Sequence, residues 1–421
     1  MHISDPWLFR VVYYEIRTCK MYQTHYAYMM TLVTRTIEPV LRRYTGQYPI
    51  VTITGPRQSG KTTLCRKVFP DRPYANFEAP DIRRFAIDDP RGFLSQYPDG
   101  AVFDEIQRTP ELVSYLQVIV DQDGRDGLFI LTGSQQFEVR NTINQSLAGR
   151  TALVKLLPFS LQEVSSFYPL PDIDRLLYHG FYPRLWDKKL TPTQALGDYF
   201  ATYIERDLRQ LVAIKDLNLF QRFVRLCAGR VGQLLNLNSL ANDTGVSHTT
   251  ARNWLSLLEA SYIVFLLQPY HRNISKRLVK SPKLYFYDVG LVSYLLGIEN
   301  EKQVSRDPLV GSLFENMVIA EVLKYRYHNG KGNNLYFYRD SKGNEVDLLL
   351  VSGADFFPIE IKAGMTVTQD YFKGLNHFAK LFPAHIPAGS GIIYGGKELQ
   401  RRTNVFVCPF MRMYELLRNV C

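Results

Sequence analysis

The sequence predicts an α/β fold built on a parallel sheet, and three stretches carry that prediction. The first is VTITGPRQSGKTTL, Val51 to Leu64, where a β-branched apolar run leads through Gly55-Pro56-Arg57-Gln58-Ser59-Gly60-Lys61-Thr62-Thr63 into a helical continuation. This is G-x-x-x-x-G-K-[ST] with a strand before it and a helix after it, the context that makes the motif specific. The second is Gly100 to Gln107, GAVFDEIQ, a short apolar run that ends in two carboxylates. The third is Gly127 to Ser134, GLFILTGS, another buried-strand pattern, ending in hydroxyls. In open α/β sheets the chemistry gathers at the carboxyl ends of the strands, where all three stretches place their polar residues.

Each element has a chemical reading. Glycines at Gly55 and Gly60 allow backbone conformations that let successive N–H groups turn around a phosphate, and the helix that follows adds its positive end. The residues from Gly55 to Thr63 are the nucleotide-binding set. Lys61 is expected to reach the β- and γ-phosphates, and the Thr62 hydroxyl to hold Mg²⁺. Asp104 is expected to hold the Mg²⁺ shell through water, and Glu105 to polarise the attacking water. At the end of the third strand a polar residue senses the γ-phosphate in the additional-strand class of P-loop ATPases. Thr132 and Ser134 both qualify.

Composition sets the frame. The 421 residues are 46% apolar and 21% charged, which fits a folded chain of about two to four domains. No run of about 18 apolar residues marks a transmembrane helix, and the N-terminus lacks the pattern of a secretory signal. Cys19, Cys65, Cys227, Cys408 and Cys421 are scattered and form no metal-ligand pair, which points to a reducing, cytoplasmic setting. The formal charge of +10 is uneven: residues 218–285 hold nine Lys/Arg against two Asp/Glu, and residues 1–50 six against three. A neutral body with one basic module points to nucleic acid, or else to a solvated basic face.

The chain divides into five parts. Residues 1–30 read as an extension, with Met29 or Met30 the natural start. Residues 31–173 form the P-loop domain, opened by an amphipathic helix on Leu32, Val33, Ile37, Val40 and Leu41. Residues 174–217 are a helical linker or lid, 218–287 a winged helix-turn-helix, and 288–421 a last α/β domain. In the winged helix, Ser247 caps the second of the closely spaced helices. His248, Thr249, Arg252 and Asn253 then face a DNA groove, while Arg272, Lys276, Arg277 and Lys280 meet phosphates. The competing reading is a lid or protein-contact module.

Taken together and in order, ITGPRQSGKTTL, VFDEIQ, LTGS, LAGR and PFSLQE resemble the AAA+-superfamily ATPases of bacteria and archaea that carry a C-terminal domain of unknown function. The resemblance covers residues 31–421. It implies a parallel sheet flanked by helices, with ATP at the strands' carboxyl ends and Mg²⁺ as cofactor. It also implies a finger or sensor arginine, for which Arg150 of LAGR is the first candidate and Arg206 of the Tyr203–Asp207 box the second. A finger acting in trans would require a homo-oligomer.

The last domain carries a second constellation, D-x(12)-E-x-K. Strands around Asp347 and Glu360 are expected to form a hairpin that sets the two acids side by side, with Lys362 on the face of Glu360. This resembles the restriction-endonuclease-like PD-(D/E)XK core. That resemblance implies Mg²⁺ ligated by Asp347 and Glu360, with Glu315 from a helix as a third acid and Lys362 orienting water. The expectation is therefore an ATP-hydrolysing protein that acts on or is regulated by DNA through a winged helix and a nuclease-like domain. The alternative is an ATP-dependent switch that contacts proteins and whose C-terminal domain is inactive.

Overall fold

A computed structural model describes residues 32–134, 147–207, 216–270 and 280–420. The extension 1–30, and Arg272, Lys276 and Arg277, lie outside the described residues. So does the side chain of Arg206.

Two sheets organise the chain. The first has five strands: β1 (Ile50–Thr54), β2 (Tyr74–Asn76), β3 (Ala101–Asp104), β4 (Phe129–Gly133) and β5 (Thr151–Lys155). Their order is β2-β3-β4-β1-β5, and each neighbouring pair is parallel. Because β1, β3 and β4 are buried along their whole length, each reads as a continuous apolar run rather than an alternating one. Helices cover both faces. Among them, α1 (Glu38–Thr45) buries Val40 and Leu41, and α2 (Lys61–Val68) starts at Gly60 and buries Leu64, Cys65 and Val68. The amphipathic segment expected from Leu32 is helical only from Glu38, with Val33 and Ile37 buried ahead of it.

One face of this sheet is closed by aromatics. Phe103 is fully buried and lies 5.5 Å from Phe129, 5.6 Å from Phe77 and 5.3 Å from Tyr97, ring centre to ring centre. These rings set how the helices over β2–β4 sit above the strand that delivers Asp104.

After β5 the chain enters α3 (Leu161–Phe167), whose Ser160 and Glu163 form a capping box. Short helices follow, including α4 (Pro183–Lys188) and α5 (Pro192–Tyr199), the latter running into a π-helical stretch, Phe200–Asp207. Three further helices are α6 (Leu217–Ala228), α7 (Leu237–Thr244) and α8 (His248–Ala260). Ser247 caps α8 through Thr250 N–H at 3.1 Å, and Trp254 packs against Phe220 and Phe223.

The second sheet runs across an expected boundary. Strands β6 (Val264–Pro269) and β7 (Lys283–Phe286) form the hairpin expected of a wing, but β6 also pairs in parallel with β8 (Leu335–Arg339), Gln268 opposite Tyr336. Hairpin and last domain therefore share one eight-stranded sheet, and the expected break between 287 and 288 does not separate two sheets. The sheet continues through β9 (Glu345–Ser352), β10 (Asp355–Lys362), β11 (Ser390–Tyr394), β12 (Gln400–Arg401) and β13 (Val405–Pro409). Helix α9 (Val310–His328) is buried on nearly every side, its polar Asn316, Glu321, Lys324 and His328 included. Helix α10 (Lys373–Leu381) covers the other face.

Replacing Phe103 by Ala should destabilise the five-stranded unit by about 3–5 kcal/mol, the usual cost of emptying a fully packed aromatic site. Urea unfolding followed by tyrosine fluorescence checks this, with a lower midpoint expected.

Candidate functional site

The phosphate-binding loop is built by backbone geometry. Gln58 and Gly60 both have positive φ, 60° and 91°, so the loop turns its amides inward before α2 begins. Gly55 cannot carry a side chain, since a Cβ there would lie 2.0 Å from the Leu156 carbonyl oxygen. Lys61 is 5% exposed, and its Nζ donates to the carbonyls of Gly55 and Pro56 at 3.0 and 2.9 Å. Burial lowers its pKa, and Glu105 and Asp104 work against that. An ammonium so buried with neutral carbonyls as its hydrogen-bond partners suits an anionic ligand.

The strands bring the acids to the loop. Thr62 Oγ1 donates to Asp104 Oδ2 at 2.7 Å, and the Tyr74 hydroxyl donates to the same oxygen at 2.5 Å. Thr132 donates to the other carboxylate oxygen of Asp104. Glu105 takes a left-handed backbone, φ 59°, which turns it away from Asp104. Its carboxylate accepts from Ser134 Oγ at 2.9 Å and from Gln107. The two hydroxyls left open by the sequence thus attach to different acids, Thr132 to Asp104 and Ser134 to Glu105. An oxygen-only set of one hydroxyl and one carboxylate fits Mg²⁺, which takes few protein ligands and completes its shell with phosphate and water.

A cleft of ≈ 430 Å³ opens over Lys61, Thr62 and Glu105. Its far wall is α4, with Arg184 and Lys188, and the π-helical stretch with Thr202 and Tyr203. Arg57 lies over the Tyr203 ring at 5.2 Å. The Tyr203–Asp207 box, for which spacing alone gives no role, therefore starts at the rim of this cleft.

Arg150 lies away from this cleft. Its carbonyl accepts from Ile50 N–H, so it stands at the amino end of β1 and β5, with the loop at the other end. Five strand residues span about 17 Å. Arg150 instead pairs with Asp121 through Nε and Nη2, at 2.5 and 2.8 Å, on the surface. It cannot reach phosphates held by its own chain. Besides Lys61, the cations that line the cleft are Arg57, Arg184 and Lys188.

Sequence reasoning also missed a buried junction behind the loop. Arg35 donates to Ser59 O at 2.8 Å and Leu157 O at 2.7 Å, and its Nε lies 3.1 Å from Glu163. The Glu163 carboxylate also accepts from Thr36 N and Ser160 N and sits 3.5 Å from His328 Nδ1 on α9. Nearby, Lys324 donates to Phe159 O at 2.9 Å and Glu321 accepts from Leu161 N at 2.8 Å. The PFSLQE segment is thus the seat on which α9 rests. The S-x-x-E spacing was the only local signal, and it announces a cap rather than a junction.

In the C-terminal region the expected pairing of acids is present. Leu348 stands opposite Ile359, which sets Asp347 beside Glu360. Lys362 Nζ is 2.6 Å from Glu360 and 3.2 Å from Asp347, and Ile361 N–H donates to Asp347 at 2.8 Å. Burial and Asp347 push the Glu360 carboxyl well above the usual range. Glu315 is paired with Lys283 of β7 at 2.9 Å and bonded by the Tyr285 hydroxyl at 2.5 Å. Lys283 also pairs with Glu345. Asp347 and Glu360 therefore stand together, while Glu315 is held by Lys283 and Tyr285. Among the described residues no three His, Cys, Asp or Glu side chains are grouped to hold a metal, and Lys283 and Lys362 pair with these acids.

On α8, His248, Thr249, Arg252 and Asn253 are all exposed, with Trp254, Leu255, Leu257 and Leu258 buried behind them. Lys280 is exposed as well. No described helix is long and apolar enough to cross a membrane.

Three sequence-family models match in succession: "AAA domain" over residues 47–165, "Domain of unknown function (DUF8612)" over 170–302, and "Domain of unknown function (DUF4143)" over 310–413. The chain is 34% identical over 331 residues to "Uncharacterized protein Rv2008c" of Mycobacterium tuberculosis, spanning 77% of this chain and 73% of that one. It is 25% identical over 245 residues to "Uncharacterized protein MJ1637" of Methanocaldococcus jannaschii, spanning 57% and 48%. Among solved structures, the Walker-type ATPase paby2304 of Pyrococcus abyssi is similar at 16% identity with a TM-score of 0.40, over 61% of this chain and 94% of that one.

The junction yields a pH prediction. Burial lowers His328 to about 4, only partly offset by Glu163. The unfolded imidazole titrates near 6.5, so below that pH the unfolded chain takes up a proton that the folded chain excludes. Stability should therefore fall between pH about 6.5 and about 4, by up to about 3 kcal/mol. Urea midpoints across this range check it, and His328→Leu should flatten the dependence.

Proposed function

The chain belongs to the family that joins an AAA domain to a C-terminal domain of unknown function and includes the mycobacterial relative, and from that premise we propose that it hydrolyses ATP with Mg²⁺ at the cleft over Lys61. The observation that carries the reading is convergence: Lys61, the Thr62–Asp104 pair and Glu105 come from α2 and β3 to one opening. Bound Mg²⁺ would neutralise phosphate charge and orient the transferred group. The loop amides and Lys61 hold the phosphates. Thr62 and Asp104 would hold the metal shell. Glu105, oriented by Ser134 and Gln107, accepts the proton of the attacking water. Arg184 and Lys188 face that space from α4 and supply the charge first sought at Arg150.

The basic module then acts on DNA as a winged helix. Exposure of His248, Thr249, Arg252 and Asn253 on one helix supports this, as does the surplus of Lys/Arg in residues 218–285. The Asp347–Glu360–Lys362 hairpin supports a nuclease-like last domain. One observation favours a second reading, an ATP-driven switch that contacts proteins and whose last domain does not cut. Lys283 and Lys362 already neutralise Glu315, Asp347 and Glu360.

ATP turnover with linear duplex DNA, products resolved on a gel, tests these readings. Glu105→Gln should lower turnover by at least about 100-fold while ATP still binds. DNA binding should weaken steeply with salt and be lost in Arg252→Ala. Cleavage lost in Asp347→Ala supports the first reading, whereas intact duplex in the wild type supports the second. Turnover unchanged in Glu105→Gln contradicts both.

A further inference from the structure

Beside the phosphate cleft lies a second cavity, of ≈ 370 Å³. Tyr182, Leu185, Leu196 and Tyr199 wall it, and Gln194 and Asp198 stand on its lining. The two cavities share Gln58, Arg184 and Thr202, so together they form one depression running from the phosphate-binding loop between α4 and α5. A triphosphate seated on the loop must send its nucleoside into adjoining space, and this is a walled space adjoining it.

We propose that this cavity receives the nucleoside of the bound nucleotide and that Gln194 and Asp198 recognise the amino edge of adenine. The proposal rests on the reading of the loop as an ATP site. The chemistry of the lining supports it at three points. First, the walls are apolar and aromatic, as a purine face requires. Tyr182 and Tyr199 are buried, their rings 4.8 Å apart and their hydroxyls bonded to each other at 3.1 Å, so the wall is fixed. Secondly, Gln194 and Asp198 are four residues apart on α5, hence on one face of the helix. Both are exposed, and neither side chain is hydrogen-bonded to a described residue. Thirdly, their donor and acceptor pattern matches adenine. The Gln194 amide can accept from the exocyclic amino group while donating to a ring nitrogen, and the Asp198 carboxylate only accepts.

The backbone keeps this edge in place. Thr202 Oγ1 donates to the Asp198 carbonyl at 2.6 Å where α5 passes into the π-helical stretch. Pro192, in the first turn, suits the start of the helix that carries Gln194.

The test compares ATP, GTP and inorganic tripolyphosphate on the full chain with Mg²⁺, by calorimetric titration. Asp198→Ala and Gln194→Ala alter exposed side chains and should leave the fold intact. Each is expected to weaken ATP by about tenfold, the worth of one hydrogen bond in a binding site, while tripolyphosphate binds as before. Ala195→Trp, which fills the cavity, is expected to weaken ATP and GTP and to spare tripolyphosphate. If the variants weaken ATP and tripolyphosphate alike, or leave ATP unchanged, the nucleoside does not lie here and the proposal is overturned. Lys61→Ala separates the two levels. If it fails to weaken both ATP and tripolyphosphate, the loop reading itself is wrong, and the nucleoside site falls with it.

Discussion

The Glu163 carboxylate is buried among Arg35, the amides of Thr36 and Ser160, and the ring of His328, and the arrangement around the nucleotide loop depends on it. Burial alone would raise its pKa, yet Arg35, His328 and the amides outweigh that and bring it down to about 2. The carboxylate therefore stays charged in the interior, and Arg35 is held in one orientation. That orientation matters because the other end of the guanidinium bonds Ser59 O and Leu157 O. A loop whose function is to aim backbone amides at phosphate needs its own carbonyls restrained, and Arg35 restrains one of them. Removing one member of such a buried pair typically costs about 3–5 kcal/mol, since the other charge is left without compensation.

The same carboxylate faces the C-terminal region. Helix α9 places His328 against Glu163, Lys324 against Phe159 O and Glu321 against Leu161 N. A second tie runs from the last residue of β1, where Thr54 Oγ1 and the Tyr262 hydroxyl are 2.8 Å apart. Tyr262 takes a left-handed backbone, φ 57°, which costs a tyrosine on the order of 1–3 kcal/mol and is kept by full burial. The AAA domain is thus not a bead on a linker. The end of β1 is held by Tyr262 and the segment after β5 by α9, both more than a hundred positions away in sequence.

Much of the site was legible because its parts are local in sequence. A strand, a glycine loop and a helix start are contiguous, so Val51–Leu64 announces its own geometry. The runs ending at Asp104 and at Thr132–Ser134 do the same, since a parallel strand that is buried throughout is a short apolar word. What was not legible needed register or direction. Arg150 follows a family motif, but a motif does not say at which end of a strand it falls, and this one falls at the amino end. Lys283 and Tyr285 read as wing residues because the parallel pairing of β6 with β8 joins segments nearly seventy positions apart. Arg35 and His328 have no meaning until the chain is folded, because the partner of each is Glu163. Arg184 belongs to a short helix whose sequence carries no phosphate signature, and only the fold sets it across from Lys61.

The central claim is that the cleft over Lys61 binds ATP. Its most direct test is an equilibrium titration of the full chain with a non-hydrolysable ATP analogue and Mg²⁺, repeated on Lys61→Ala. The account predicts saturable binding of one nucleotide per chain, lost in the variant. Absence of binding to the wild type, or binding that the substitution leaves unchanged, would contradict it.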